Sequence, residues 1–168
     1  FEGGYILQGD YSQLELRITA GLSGDKAMQK AYRQEIDLHS YTVTLIYGTP
    51  LDQVDPDGYE RKFCKTINFG ILYGMGPERF ATSVGCPVKE AQDMIEKWFG
   101  IYPGVKKYIK GAHKFAETHG YVMSPFGRRR WCEDAMEKGD SPGKAHALRV
   151  AMNSPIQGGG ADICLIAL

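Results

Sequence analysis

Four side chains with complementary chemistry recur at every fourth position between residues 61 and 73: Arg61, Lys65, Phe69 and Tyr73. On an α-helix each step of four residues advances about 40° around the axis, so all four would lie within about 120° of arc. Such a face is basic at its N-terminal end, where the helix dipole also favours anions, and aromatic at the other end. Arg and Lys bind phosphate oxygens and Phe offers a stacking surface, so the face suits a nucleoside triphosphate.

The same spacing also describes an ordinary amphipathic helix, in which the basic edge is solvated and the aromatic edge is buried. Spacing alone leaves both interpretations open.

A second candidate is Asp10, which follows the short apolar run from Tyr5 to Leu7. This run reads as a buried strand, and a carboxylate at the end of a strand is a common magnesium ligand. A turn-starting aspartate is the alternative. Glu15 follows in the next predicted helix, where it could also be an ordinary exposed residue.

Two further polar groups lie near the end of the chain. Arg149, Asn153 and Gln157 are four residues apart, and their amides suit base-edge contacts in a minor groove. Arg128 and Arg129 open an arginine run in a predicted hairpin and are candidate phosphate contacts. A plain polar surface is the alternative for each group.

Composition limits the class of protein. The 168 residues carry 20 basic and 20 acidic side chains, so bulk charge gives no argument for nucleic-acid binding, although a local basic surface remains possible. A hydrophobic content of 43% is typical of a globular domain. No apolar run is long enough to cross a membrane, and neither a P-loop nor a dinucleotide-binding glycine motif occurs. The chain starts at Phe1 and stops inside an apolar stretch, so we expect an internal fragment of a longer protein.

Periodicity predicts a mostly helical α+β chain. Asp25 and Asp37 are predicted to cap short helices, and Asp55 to start the helix that carries the basic and aromatic face. Residues 121–123 and 128–131 flank a turn and predict a hairpin, which could share a sheet with the strand near the start. A final helix begins at 141–142, and Pro155 should kink it.

Three motifs resemble those of family A DNA polymerases, the bacterial polymerase I type. The segment Asp10-Tyr11-Ser12-Gln13-Leu14-Glu15-Leu16-Arg17 is similar to their first catalytic motif. The pattern from Arg61 to Gly74 resembles their fingers helix. The segment from Asn153 to Gly158, followed by Ala161-Asp162, resembles a later palm helix. Phe126-Gly127-Arg128-Arg129 also fits, and the order and spacing agree over essentially the whole chain.

The resemblance implies an incomplete right-hand polymerase fold. Residues 1–36 would be the first part of the palm with the catalytic Asp. Residues 37–120 would be an inserted, all-helical fingers subdomain, and residues 121–168 the returning hairpin and helix of the palm.

The resemblance also implies template-directed DNA synthesis from dNTPs on primer–template DNA with two Mg²⁺ ions. Asp10 would bind both ions, assisted by the backbone carbonyl of Tyr11. Arg61 and Lys65 would hold the triphosphate, with Lys65 as proton donor to pyrophosphate. His39, whose spacing gives no sign of metal binding, would be a further phosphate contact.

The remaining implied roles concern the sugar, the base and the DNA. Gln13 would approach the minor-groove side of the new base pair, and Glu15 would exclude a ribose 2′-hydroxyl. Phe69 would pack beside the incoming sugar and base, and as Phe rather than Tyr it implies poor use of dideoxynucleotides. Tyr73 would stack at the template position. The expected DNA contacts are Arg128, Arg129, Arg149, Asn153 and Gln157. The resemblance further implies that the full-length enzyme is a monomer in the cytoplasm of a bacterial or phage-infected cell, without membrane association.

Several features depart from the family pattern. The second metal-binding carboxylate of the family lies in a His-Asp motif that this sequence does not contain, so we expect the 168 residues alone to be inactive. Gly158-Gly159-Gly160 replaces a Gly-Thr-Ala-type stretch and should loosen the last helix. A single-subunit phage-type RNA polymerase, a catalytically dead DNA-binding remnant and a purely structural helical domain are the alternatives.

Overall fold

The computed structural model describes residues 3–5 and 9–167, and this part of the chain is α+β and mostly helical. The helices are α1 Leu14–Ser23, α2 Lys26–Arg33, α3 Leu38–Tyr47, α4 Tyr59–Leu72, α5 Pro77–Val84, α6 Val88–Ile101, α7 Pro103–His119 and α8 Pro142–Ala167. Two short 3-10 turns, Leu51–Gln53 and Glu133–Met136, complete the helical elements in these residues. None of the helices described is both long and apolar enough to cross a membrane.

The predicted hairpin is confirmed. Strands β1 (Tyr121–Met123) and β2 (Arg129–Trp131) pair antiparallel, with Tyr121 opposite Trp131 and Met123 opposite Arg129. The expected strand near the start falls on Ile6 and Leu7, which lie outside the described residues, as does its expected sheet with the hairpin.

The two aspartate caps are confirmed as well. Oδ1 of Asp25 accepts hydrogen bonds from the backbone of Ala27 and Met28 at 3.0 and 3.1 Å. Oδ2 of Asp37 accepts from the backbone of Ser40 at 2.9 Å. Each cap satisfies donors that the first turn of a helix leaves free, an effect of about 1 kcal/mol.

The predicted start of α4 at Asp55 is wrong. The side chain of Asp55 accepts from the backbone of Asp57 at 2.9 Å, and its carbonyl accepts from Gly58 at 3.1 Å. This local turn competes with helix formation, because short polar side chains bond readily to the backbone two residues on. Helix α4 therefore begins at Tyr59, after the extended Gly58.

Helix α8 runs from Pro142 to Ala167 with Pro155 and the glycine run inside it. The glycines lie where neighbouring elements come close. A Cβ on Gly158 would meet Ser124 at 3.3 Å, and one on Gly159 would meet Pro125 at 3.2 Å. The glycine run thus lets the turn of the hairpin pack directly on the helix, and this packing stabilises the helical conformation.

The apolar core forms two clusters. The larger one contains buried residues from Leu16 to Val105 together with Ile156 of α8, so it joins α1 to α4 and the helices that follow. The smaller one lies under the hairpin and contains Ala116, Val122, Cys132, Ala135, Ala147 and Ala151. Small side chains dominate this second cluster, which allows α7 and α8 to approach closely.

A polar network lies inside the larger cluster, centred on the fully buried Asn68. Its Oδ1 accepts from the indole Nε1 of Trp98 at 2.7 Å. Its Nδ2 lies 3.1 Å from Oγ1 of Thr42 and 3.0 Å from Nδ1 of His39. The hydroxyl of Tyr102 contacts Thr42 at 2.9 Å. The network therefore connects α3, α4 and α6 through buried side chains, of which His39 retains 3% exposure.

Burial lowers the pKa of His39 to about 4, and the positive charges of Arg61 and Lys65 act in the same direction against the opposing effect of Asp37. His39 is only 3% exposed. The imidazole is therefore neutral in the folded chain at physiological pH.

The N-terminus of α7 offers a test of packing. The backbone N–H of Gly104 donates to Oδ2 of Asp25 at 2.8 Å, and a Cβ on Gly104 would meet the backbone Cα of Asp25 at 2.7 Å. We expect Gly104→Ala to lower the free energy of unfolding by about 1–3 kcal/mol, because the backbone of α2 would have to move. In the same helix, Gly111→Ala meets no atom within 4 Å and should raise stability by up to about 1 kcal/mol. Urea denaturation of both variants checks this, and equal effects would contradict it.

The stability of the chain should fall in mild acid. Because the pKa of His39 drops from an ordinary 6.5 to about 4 on folding, the unfolded chain binds a proton that the folded chain does not bind in this window. The stabilisation is complete above pH 6.5 and is lost progressively as the pH falls. From about pH 7 to about pH 5, His39 should cost about 2 kcal/mol. Denaturation of the wild type and of His39→Gln at both pH values isolates this contribution. An unchanged pH dependence in His39→Gln would show that other groups cause it.

Candidate active site and nucleic-acid interface

The predicted basic and aromatic face is present on α4. Lys65 is exposed, Arg61 and Phe69 are partly buried, and Tyr73 caps the C-terminal end of the helix. The buried residues of α4 include Phe63, Cys64, Ile67 and Asn68. The helix packs through these residues, and the cationic and aromatic side chains of the predicted face lie on its other side.

Asp37 holds the N-terminal end of this face. Its Oδ2 accepts from Nε of Arg61 at 3.1 Å and from the hydroxyl of Ser40 at 2.8 Å, while Oδ1 accepts from Nε2 of Gln13 at 2.6 Å. Burial alone would raise the pKa of Asp37, but the hydrogen bonds from Ser40 and Arg61 outweigh it and lower the pKa below its ordinary value. Asp37 is thus an ionised bridge between α1, α3 and α4.

Gln13 adopts a left-handed backbone conformation, with φ of 55°. This conformation costs a non-glycine residue on the order of 1 kcal/mol and persists where surrounding contacts fix it. The contacts here are the bond to Asp37 and a hydrogen bond from the hydroxyl of Tyr32 to Oε1 at 3.0 Å. The strained turn therefore directs Gln13 toward Asp37, at the start of α3.

His39 contacts the aromatic part of the face. Its ring lies 5.5 Å from the ring of Phe69, centroid to centroid, at an angle of 46°. The charges of Arg61 and Lys65 also act on its pKa, as described above. The nearly buried His39 therefore lies against Phe69, next to the face of α4 that carries Arg61 and Lys65.

Glu15 and Tyr73 are joined directly, since the hydroxyl of Tyr73 donates to Oε2 of Glu15. This bond, followed by burial, raises the pKa of Tyr73 to about 12, so the hydroxyl remains a donor at physiological pH. The pair links α1 to the end of α4.

A groove of about 530 Å³ extends from Tyr73 along α8 and the hairpin. Its lining includes the predicted DNA contacts Arg128, Arg129, Arg149, Asn153 and Gln157. A Cβ on Gly74 would meet Cγ of Arg149 at 2.8 Å, so this arginine lies directly across the end of α4. The predicted DNA contacts of the hairpin and those of α8 thus line one groove together with Tyr73.

The arginines of this groove differ in their partners. Arg128 donates to Oδ1 of Asp162, and Oδ2 of the same carboxylate accepts from the hydroxyl of Ser124 at 3.1 Å. Arg129 lies over the ring of Tyr121, 4.8 Å from the centroid. Arg128 is therefore tied to α8, whereas Arg129 has its cationic group stacked on the hairpin.

Asp10 and Tyr11 lie apart from these contacts. Both are exposed, and they line a hollow with Leu14, Cys164 and Ala167. In residues 3–5 and 9–167, no group of three His, Cys, Asp or Glu residues is placed to hold a metal ion. The carboxylate of Asp10 and the carbonyl of Tyr11 are oxygen donors of the type magnesium prefers, but the number of carboxylates falls short of a two-ion site.

Three residues of the site were not predicted as functional. Asp37 was identified only as a helix cap, Asp162 only as part of a motif, and Asn68 was not singled out. The position of Asn68 next to Phe69, as a polar residue on an otherwise apolar helix face, is the sequence signal that could have identified it. Its partners lie 26 to 30 residues away, and no local pattern shows them.

The chain is similar to bacterial polymerases over almost its whole length. It is 39% identical over 167 residues to DNA polymerase I of Deinococcus radiodurans, and 40% identical over 167 residues to the thermostable DNA polymerase I of Thermus filiformis. These matches cover 99% of this chain but only 17% and 20% of the relatives, so the chain spans about a fifth of their length.

A solved structure and a family model agree with this similarity. The polymerase domain of M. smegmatis Pol1, in complex with DNA primer-template and dNTP, superposes with a TM-score of 0.86 at 33% identity, covering 92% of this chain and 27% of that one. The model described as DNA polymerase family A matches residues 2–168. With the three motifs, the helical face and the groove in the arrangement described, the chain belongs to DNA polymerase family A.

Proposed function

We propose that this chain forms the nucleotide-binding and part of the catalytic surface of a DNA-directed DNA polymerase, which transfers deoxynucleoside monophosphate from a dNTP to a primer 3′-hydroxyl. The observation that carries the proposal is the continuity of two surfaces. The face formed by His39, Arg61, Lys65 and Phe69 runs through Tyr73 into the groove of Arg149, Asn153 and Gln157. A triphosphate and a DNA duplex would thus bind side by side.

The triphosphate would bind at the N-terminal part of α4. Arg61 is held by Asp37 in a partly exposed ion pair, with side chains 25% and 32% exposed. Such a pair contributes little net free energy, so phosphate oxygens can replace the carboxylate at small cost. Lys65 is exposed and has no ion-pair partner among the described residues, so it is free to hold phosphate and to give a proton to the leaving pyrophosphate.

The metal site would be built on Asp10. Its carboxylate and the carbonyl of Tyr11 would hold Mg²⁺, which would activate the primer hydroxyl and stabilise the charge on the leaving pyrophosphate. Because the residues described supply one carboxylate there, we expect the 168-residue chain alone to be inactive. A second carboxylate in the complete protein would be required.

The bond between Glu15 and Tyr73 supports a preference for deoxynucleotides. It directs the Glu15 side chain toward the end of α4, where it would occupy the space that a ribose 2′-hydroxyl needs. This observation and the family favour DNA synthesis over the phage-type RNA polymerase alternative.

The groove along α8 would hold the primer–template near the active site. Oδ1 of Asn153 is buried and has no hydrogen-bond partner among the described residues, although a buried unpaired acceptor costs about 1–3 kcal/mol. A donor from a bound DNA base edge or a water molecule would remove this cost. Arg128 and Arg129 would contact the DNA backbone from the hairpin. The complete protein would work as a monomer in the cytoplasm of a bacterial or phage-infected cell.

The role of Asp10 can be tested in the full-length gene product. Asp10→Ala should reduce primer extension roughly a thousandfold or more, because metal ions supply several kcal/mol of transition-state stabilisation. Asp52→Ala, which removes an exposed carboxylate from the turn at Leu51–Gln53, is the matched control and should retain activity. Near wild-type extension by Asp10→Ala would refute the polymerase proposal, and DNA binding without any extension in the wild type would favour a dead DNA-binding remnant.

The role of Lys65 can be separated from that of general positive charge. Lys65→Ala should lower the rate of the chemical step by a factor of roughly 100 or more, as expected for loss of a general acid. Lys62→Ala removes the same charge from an exposed position one turn earlier and should have little effect. Single-turnover incorporation of one dNTP measures both. An increase in the KM for dNTP with an unchanged rate would exclude proton donation by Lys65.

A further inference from the structure

We propose that Asn68 is a positioning residue that holds the His39 ring with its proton on Nε2, so that His39 presents a neutral N–H donor to the triphosphate. This inference rests on the proposed function for its biological consequence, but the arrangement of protons follows from the hydrogen bonds alone.

The orientation of the Asn68 amide is set by Trp98. An indole N–H can only donate, and Nε1 of Trp98 lies 2.7 Å from Oδ1 of Asn68. The oxygen of the amide must therefore face Trp98. The NH₂ group consequently faces Thr42 and His39, at 3.1 and 3.0 Å.

The hydroxyl of Thr42 agrees with this orientation. It donates its single proton to the carbonyl of Leu38 at 2.7 Å, which can only accept. Its two lone pairs then accept from Nδ2 of Asn68 at 3.1 Å and from the hydroxyl of Tyr102 at 2.9 Å. Oγ1 of Thr42 also lies 3.3 Å from Oδ1 of Asn68, but the carbonyl of Leu38 is the nearer acceptor for its single proton.

The second proton of the Asn68 amide points at Nδ1 of His39, so this nitrogen must accept. A neutral imidazole has one donor and one acceptor, and its proton therefore lies on Nε2. No hydrogen-bond partner for Nε2 occurs in residues 3–5 and 9–167, and this atom is not among the buried polar atoms that lack one. Nε2 thus keeps access to solvent on the surface it shares with Phe69 and Lys65.

The other protonation states conflict with the network. A proton on Nδ1 would place two donors against each other at a buried position, in the neutral ring as well as in the imidazolium. The positive charge at the triphosphate site would then come from Arg61 and Lys65. His39 would add a directional N–H donor that stays neutral at physiological pH. This division of roles also agrees with the low pKa of His39.

Nitrogen-15 NMR of the histidines in this chain tests the tautomer without any activity assay. Long-range ¹⁵N–¹H correlation distinguishes a protonated from an unprotonated ring nitrogen, and the wild type should show His39 protonated on Nε2. Asn68→Asp keeps the size of the side chain and an acceptor for Trp98, but turns an acceptor toward Nδ1, so the neutral ring should carry its proton on Nδ1. Trp98→Phe removes the donor that orients the amide and should give a mixture. A proton on Nδ1 of His39 in the wild type would overturn the proposal. This measurement on the wild type does not depend on the folding of any variant.

Kinetics of the full-length gene product test the consequence. In Asn68→Asp the KM for dNTP should rise roughly tenfold at alkaline pH, because the neutral His39 would then turn a lone pair toward phosphate, while the wild-type KM stays flat over the same range. In the His39→Gln background, Asn68→Asp should change the KM far less. Thr66→Ala, an outward-facing change on the same helix, is the control.

An equal effect of Asn68→Asp on the KM with and without His39 would assign Asn68 a structural role only. A wild type that lacks activity altogether would refute the proposed function but would leave the assigned tautomer of His39 unaffected.

Discussion

The buried amide of Asn68 is the constraint on which the arrangement of α3, α4 and α6 depends. Its partners lie on α3 and α6, and through Thr42 it reaches Tyr102, which precedes α7. Loss of any one partner would leave a buried polar group unpaired, at a cost of about 1–3 kcal/mol. Apolar packing alone tolerates small rotations of a helix, whereas this set of bonds fixes the rotation of α4 about its axis. The outward face of Arg61, Lys65 and Phe69 is a consequence of that rotation.

The junction between α1 and α4 is built differently. It consists of bonds at accessible positions, from Gln13 to Asp37 and from Tyr73 to Glu15. Bonds exposed to water are exchanged at small cost, because water replaces the lost partner. The packing of α3, α4 and α6 is therefore fixed, whereas the bonds that join these helices to α1 are exchangeable. In the proposed reaction this combination allows a substrate to displace side chains at the junction without disturbing the helix that presents the phosphate-binding groups.

The sequence predicted the features that local chemistry determines. Asp25 and Asp37 cap their helices, the hairpin has its predicted strands, and the four-residue spacing places Arg61 and Lys65 on one face. The predictions failed where two local structures compete for the same residues, or where the interacting residues are far apart in sequence. At Asp55, a hydrogen bond from the backbone of Asp57 to the aspartate side chain forms a turn where the helix was expected to start. Asn68 was missed because every partner of its side chain is distant in sequence. Hydrophobic periodicity shows that a polar residue interrupts a buried face, but it does not show what that residue binds.

A chain with no net charge can still present a basic surface, because its charges are not distributed evenly. Two acidic residues, Asp37 and Asp162, lie within the predicted phosphate-binding region and pair with Arg61 and Arg128. These pairs reduce the repulsion between neighbouring cations while the site holds no phosphate, and they fix the guanidinium groups in place. The Arg61–Asp37 pair is partly exposed and contributes about 1 kcal/mol or less, so an incoming phosphate competes with Asp37 at little cost. The Asp162 side chain is only 11% exposed, so its bond holds Arg128 in place more firmly. The electrostatic basis of the proposed function thus lies in where each charge is placed, which the overall composition does not reveal.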